Sequence, residues 1–192
     1  MTHNHDHHHP SKEETMNAIR TLLSYIGEDV SREGILETPA RVVKAYTELT
    51  EGYHAIPSEI LAKTFDVKAD EMVMVKDIHY WSLCEHHMLP FHGHATVAYL
   101  PRERVVGLSK IPRVVEAFSR RLQVQERLTN QIAETINKEL DPLGVAVLME
   151  GHHLCCSMRG AKKPVTMKTS KLIGKFKTEQ EVRNEFLMLA KG

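Results

Sequence analysis

Residues 145–158 read VAVLMEGHHLCCSM, and their alternation decides the fold class. Successive side chains of a strand point to opposite faces. Val145, Val147, Met149, Gly151, His153, Cys155 and Ser157 therefore share one face, and His152, Leu154 and Cys156 take the other. The same period recurs upstream. Met72, Met74, Lys76 and Ile78 alternate with Val73, Val75 and Asp77, and Ala95, Val97 and Tyr99 alternate with Thr96, Ala98 and Leu100, which predicts two more strands. Residues 164–173 are a further candidate.

Helical spacing surrounds these strands. Ile19, Leu22, Leu23 and Ile26 fall at i, i+3, i+4 and i+7 of a helix over 12–27 that Gly27 stops. Thr38 and Pro39 open a second helix as N-cap and first helical residue, with Val42, Val43, Tyr46 and Leu49 as its stripe. A short helical turn is expected at 57–63. Ser109 caps a helix running to about Arg121, and Leu128, Ile132, Ile136 and Leu140 line a longer one from Val124, broken at Asp141-Pro142-Leu143-Gly144. Residues 179–189 are helical in pattern. The order of helices, strands, two helices, strands and helix predicts an α+β fold with an antiparallel sheet covered on one face.

The chain of 192 residues is 42% hydrophobic and 26% charged, ordinary for a globular protein long enough to bury a core without metals or disulfides. A metal here is therefore expected to serve chemistry. Lys+Arg and Asp+Glu balance at 25 each, which does not read as a nucleic-acid or membrane-surface binder. No apolar run is long enough to span a membrane, and the polar start lacks the apolar core of a signal peptide. Three Cys, an odd number, fit a reducing cytoplasm and thiols used as thiolates. Residues 1–10, MTHNHDHHHP, form a His-rich tail expected to be disordered; residues 11–70 read as an N-terminal helical region and 71–192 as the sheet-bearing domain.

Cys84-Glu85-His86-His87 is half of a tetrahedral metal site, since zinc accepts Cys sulfur and His nitrogen together. By the strand period the other half comes from His153 with Cys155, or from His152 with Cys156. Four protein ligands would close the site as a structural zinc. Three, such as Cys84, His87 and Cys155, leave a position for water, whose pKa zinc lowers to about 7. His86 and His153 then remain for acid–base work. Lys110, Arg113, Arg159, Lys162 and Lys163 are basic residues suited to a polyanion. Gln125 and Glu126 pair a carboxamide with a carboxylate, which can read an edge such as guanine's.

Taken together, Cys84-Glu85-His86-His87, Gly107-Leu108-Ser109-Lys110, Gln123-Val124-Gln125-Glu126-Arg127-Leu128-Thr129 and His153-Leu154-Cys155 with Arg159-Gly160 resemble GTP cyclohydrolase I of the zinc-dependent type, over roughly residues 15–190. The resemblance implies the tunnelling fold, an antiparallel sheet with two helices on one face plus N-terminal helices. It implies a homodecamer of two pentameric rings with active sites between subunits, and conversion of GTP and water to 7,8-dihydroneopterin triphosphate and formate. The route it implies is attack of zinc-activated water at guanine C8, ribose rearrangement and ring closure. Carried over by position, it makes Cys84, His87 and Cys155 the Zn2+ ligands and His86 and His153 the catalytic histidines. Gln125 and Glu126 then read guanine, Ser109, Lys110, Arg113 and Arg159 hold ribose and triphosphate, and Arg41 reaches a neighbouring subunit's triphosphate. Leu122 and Cys156 lie outside the pattern. Two rival readings are a deazaguanine reductase of the same fold, which lacks this triad, and a non-catalytic zinc module with four ligands.

Overall fold

The computed structural model describes residues 9–66, 69 and 71–191; residues 1–8 of the His-rich tail lie outside them. The chain forms two compact units, one ending at Leu49 and one beginning at Thr50. In the first, α1 (Lys12–Tyr25) and α2 (Thr38–Leu49) pack against each other. A capping box that the apolar periodicity did not reveal starts α1. The Ser11 hydroxyl accepts from the Glu14 N–H at 3.2 Å, and the Glu14 carboxylate accepts from the Ser11 N–H at 2.7 Å. Thr38, expected as the cap of α2, is already its first helical residue, and Pro39 is buried.

The second unit opens with a 3-10 turn at Glu51–His54 and α3 (Pro57–Leu61). Then come β1 (Thr64–Phe65), β2 (Val73–Cys84), β3 (Pro90–Leu100), β4 (Val105–Val106), α4 (Lys110–Ser119), β5 (Leu122–Gln123) and α5 (Gln125–Leu140). It closes with β6 (Gly144–His153), α6 (Leu154–Ser157), β7 (Thr166–Gly174), α7 (Lys175–Thr178) and α8 (Gln180–Lys191). The main sheet has the order β5-β2-β3-β6-β7, antiparallel except for the short parallel pairing of β5 with β2; β1 and β4 form a separate pair.

One face of the sheet builds the core. Val97 and Tyr99 of β3, Val145, Val147 and Met149 of β6 and Leu128, Ile132 and Ile136 of α5 meet as their periodicities predicted, and Ile111, Val114 and Val115 of α4 join them. Burying such side chains contributes roughly 1.5–3 kcal/mol each. The opposite face is not bare. Phe176 and Phe186, from α7 and α8, cover Ala98 and Ala146 with Met72, Met74 and Leu148 around them. Farther along it, His79, Trp81 and His94 are exposed.

Strand β2 departs from simple alternation. Its register with β3 jumps from Val75↔Val97 to Ile78↔Ala95, a bulge of one extra residue, with Asp77 in the left-handed region at φ 57°. The extra residue reverses the faces. Val73 and Val75 point to the helix side before the bulge and Ile78 and Tyr80 after it, so Ile78 does not share a face with Met72 and Met74 as its spacing suggested.

At the lower end of the sheet two glycines face each other, Gly93 of β3 and Gly151 of β6. A Cβ on Gly93 would lie 1.9 Å from the Glu150 carbonyl oxygen, which is backbone and has nowhere to go. Gly93→Ala is expected to cost about 3 kcal/mol or more by overpacking, seen as a lower denaturant midpoint. An unchanged midpoint would mean the strands separate there at no cost.

Candidate metal centre and the histidine beside it

Cys84 ends β2, buried, where the strand turns back toward β3. The Cys84 N–H donates to the Leu89 carbonyl at 2.8 Å, and the Cys84 carbonyl accepts from the N–H of Met88 at 2.7 Å and of His87 at 3.3 Å. Met88 takes φ 55° to complete this turn. The turn is also tied sideways. The Glu85 N–H donates to the Gln123 carbonyl at 3.0 Å, and the Glu85 carboxylate accepts from the Arg127 guanidinium, which lowers the carboxyl's pKa. Arg127 Nε also donates to Gln123 Oε1 at 3.0 Å, and Gln123 Nε2 donates to the Phe118 carbonyl at 2.9 Å and to Gln131 Oε1 at 2.8 Å. Glu85, Gln123 and Arg127 thus lock the turn to α5. The i, i+4 spacing of Gln123 and Arg127 was a visible signal, but nothing in the sequence linked them to Glu85.

Cys155 arrives by a different route from the one its spacing implied. Strand β6 ends at His153 and the chain turns into α6, so the two-residue alternation stops before Cys155. The helical turn nonetheless carries the thiol to the same place. One ligand atom each from Cys84, His87 and Cys155 lie within 4.8 Å of one another, the only such His/Cys/Asp/Glu group of three or more among the described residues. Cys84 Sγ is 3.8 Å from His87 Nδ1 and 3.9 Å from His86 Nδ1, so Cys84 alone does not separate the two histidines. The gathering with Cys155 does, since His87 belongs to it and His86 does not. Burial and the neighbouring Cys84 thiol raise the Cys155 pKa, and Arg159 opposes them. A bound cation reverses that balance, since a coordinating thiol loses its proton. Two thiols and an imidazole suit a transition metal, and three donors leave room for a fourth ligand. Cys156 takes no part; its thiol lies 3.9 Å from the Lys163 carbonyl.

His153 sits on the core side of β6. Its ring stacks on Phe91, its register partner in β3, with centroids 4.6 Å apart and planes 4° from parallel. Its Nε2 is 3.0 Å from Gln125 Oε1. Burial lowers the imidazole pKa, and the Glu126 carboxylate opposes that.

The other expected residues divide into groups. Glu126 is exposed in the first turn of α5, whereas Gln125 beside it is 0% exposed with its amide hydrogen-bonded inward. Direct contact of Gln125 with a purine edge would require those bonds to break. Arg159 is exposed beyond α6, close enough to act on the Cys155 thiol. Ser109, Lys110 and Arg113 lie at the start of α4, and Ser109, though at the cap position, makes no capping bond. The far end of α4 leads to Arg121, whose carbonyl accepts from the Leu83 N–H beside Cys84. A ten-residue helix is about 15 Å long, so one chain holds Ser109 and Lys110 roughly a helix length from its own metal group. Arg113 lines a cleft with Glu51, His54, Ile60 and Glu116. Arg41 lies on α2 in the first unit, paired with Glu37.

Fold and site together define an α+β protein with a Cys-His-Cys group that could hold a metal, beside a half-buried, hydrogen-bonded histidine. The sequence pattern of the family described as GTP cyclohydrolase I matches residues 15–191. The GTP cyclohydrolase 1 of Leptospira biflexa is 52% identical over 175 residues, 90% of this chain and 96% of that one. That of Chlorobium chlorochromatii is 54% identical over 174 residues, covering 90% and 78%. Among solved structures, the apo archaeosine synthase QueF-Like aligns over 56% of this chain and 97% of that one, with TM-score 0.48 and 19% identity. The chain belongs to the GTP cyclohydrolase I family.

Proposed function

We propose that the protein converts GTP and water to 7,8-dihydroneopterin triphosphate and formate, the first step of pterin and tetrahydrofolate biosynthesis. The observation that carries this is the convergence of Cys84, His87 and Cys155 beside the held imidazole of His153. Membership of the GTP cyclohydrolase I family supports the substrate and the reaction.

Cys84, His87 and Cys155 would hold Zn2+, which would supply a Lewis acid that activates water. The chain's own groups do the rest. Glu126, exposed and acidic, accepts the N–H donors of the guanine edge, and Gln125 stands behind it at the start of α5. Arg159 holds triphosphate oxygens, which a planar guanidinium suits. Water adds at guanine C8 and the ring opens to a formamide, a second water hydrolyses the formamide to formate and a free amine, the ribose rearranges to a ketose-like form, and the amine condenses with its carbonyl to close the pterin ring with loss of one water. His86 and His153 carry protons between water, the opening ring's nitrogen and the ribose.

Ser109, Lys110 and Arg113 complete the triphosphate and ribose contacts from a neighbouring subunit, and Arg41 reaches another subunit's triphosphate. The assembly is a homodecamer of two pentameric rings in the cytoplasm, acting without nucleic acid or membrane. No helix among the described residues is long and apolar enough to cross a membrane.

Formate release from GTP tests the reading, and Glu126→Ala tests the guanine contact. Loss of hydrogen bonds to the purine edge is expected to raise KM by about 10- to 100-fold, with a smaller change in kcat. An unchanged KM would remove Glu126 from that role. A non-catalytic zinc module predicts four protein ligands and no formate, and a reductase predicts dependence on a nicotinamide cofactor.

A further inference from the structure

We propose that Gln125 is the positioning residue of His153, its amide oxygen taking the proton-bearing Nε2 and leaving Nδ1 as the ring nitrogen open to exchange. The proposal deepens the GTP reading and rests on it for its kinetic consequence.

The hydrogen bonds around Gln125 permit one arrangement. Its Nε2 is 3.2 Å from the Met149 carbonyl, 3.1 Å from the Met167 carbonyl and 3.1 Å from Thr169 Oγ1. Two of these are carbonyl oxygens, which only accept, so the amide nitrogen must face them. Thr129 fits the same order. Its hydroxyl donates to the Gln125 backbone carbonyl at 2.7 Å and lies 2.6 Å from Thr169 Oγ1, so Thr169 donates to Thr129, and its oxygen shares the two amide hydrogens of Gln125 with the two carbonyls. Gln125 Oε1 is therefore fixed on the other side, toward Tyr80 and His153. The single Tyr80 hydrogen goes to the Glu150 carbonyl at 3.2 Å, nearer than Gln125 Oε1 at 3.5 Å. The nearest donor to the buried amide oxygen is then His153 Nε2–H at 3.0 Å. An Nδ1–H tautomer would set two acceptors against each other in a buried site.

Two further observations fit. Phe91 fixes the plane of the ring by parallel stacking, and the hydrogen bond fixes its rotation within that plane. Gly151 leaves space for the arrangement, because a Cβ there would lie 2.2 Å from Gln125 Oε1 and 2.6 Å from the Tyr80 hydroxyl. Gln125 links α5, β6 and β7 and touches no exposed surface, so it acts through His153.

The test has two arms. In the zinc-loaded wild-type protein with 15N-labelled histidine, at mildly alkaline pH, His153 is assigned by its loss in His153→Ala. Its signals are expected to show the proton on Nε2; a proton on Nδ1 overturns the proposal whatever the variants do. In the kinetic arm, Gln125→Met is expected to lower kcat for formate release about 10²-fold with KM for GTP changed by less than about threefold. In a His153→Ala background the same substitution is expected to cost less than about twofold, since the two residues act as one unit. A raised KM at unchanged kcat, or an equal loss in both backgrounds, overturns the proposal and makes Gln125 a direct substrate contact. If Gln125→Met fails to fold, Gly151→Ala, which displaces the amide oxygen without removing it, is read the same way. Failure of the wild-type protein to release formate from GTP defeats the functional reading instead, and the 15N arm still decides the tautomer.

Discussion

Cys155→Ser is expected to leave the protein without its metal and without formate release. The substitution is close to isosteric, and Cys155 sits half-buried on a helical turn at the margin of the main core, so the fold should survive it. The ligand set does not. In the proposed centre three donors would hold the ion, two of them thiols, and a serine hydroxyl is a hard and weakly acidic donor that zinc binds poorly. Changing residues that merely support a ligand already costs about 10- to 100-fold in metal affinity, so removing a ligand should cost about 10³-fold or more. Metal content measured on purified protein should fall from one ion per chain to a small fraction. Formate release should fall by about 10³-fold or more, because the Lewis acid that activates water is gone. A metal-free Cys155→Ser protein that releases formate at the wild-type rate would show that the three-donor group is not the reaction centre.

His153→Ala is expected to separate proton transfer from metal binding. His153 is not in the gathered group, so the variant should keep its metal. It loses an imidazole held on two sides, by Phe91 and by Gln125, and with it a general acid–base contribution of about 10²- to 10⁴-fold in kcat. Its neighbours in the Cys84 turn provide the comparison. His87→Ala should lose the metal, whereas His86→Ala should retain it and lose rate. Equal metal loss in His86→Ala and His87→Ala would mean that the two imidazoles share the ion, as their nearly equal distances from Cys84 Sγ permit in geometry. Full activity in His153→Ala would take that residue out of the reaction.

Much of this was readable from residue order, and the reasons are physical. The stripe Leu128, Ile132 and Ile136 and the alternation Val145, Val147 and Met149 report burial directly, because one face of each element must be apolar. Cys84 and His87 could be paired because three residues fit one tight turn. The failures occur where the backbone breaks its own period. An extra residue near Asp77 reversed the faces of β2, and no composition rule marks that bulge. The turn from β6 into α6 came two residues before Cys155, so the alternation that brought His153 and Cys155 together on paper is not how they meet. The side-chain network was the least visible part. Gln125 and Glu126 are neighbours in sequence, yet the start of α5 turns one inward to Met149, Met167 and His153 and leaves the other exposed. Direction around a helix start depends on where β5 places Gln123, which is a tertiary fact. The break between compact units at Leu49 likewise has no Pro- or Gly-rich linker to mark it.

In the proposed reaction the Cys84, His87 and Cys155 group and its neighbouring histidines turn GTP into a pterin triphosphate. The most direct measurement is formate released per GTP consumed by the metal-loaded protein, with the pterin product followed in the same reaction. One formate and one 7,8-dihydroneopterin triphosphate are expected for each GTP, with all three phosphates retained. GTP consumed with phosphate released and no formate, or GTP left intact by protein that carries its full metal, would contradict the proposed reaction.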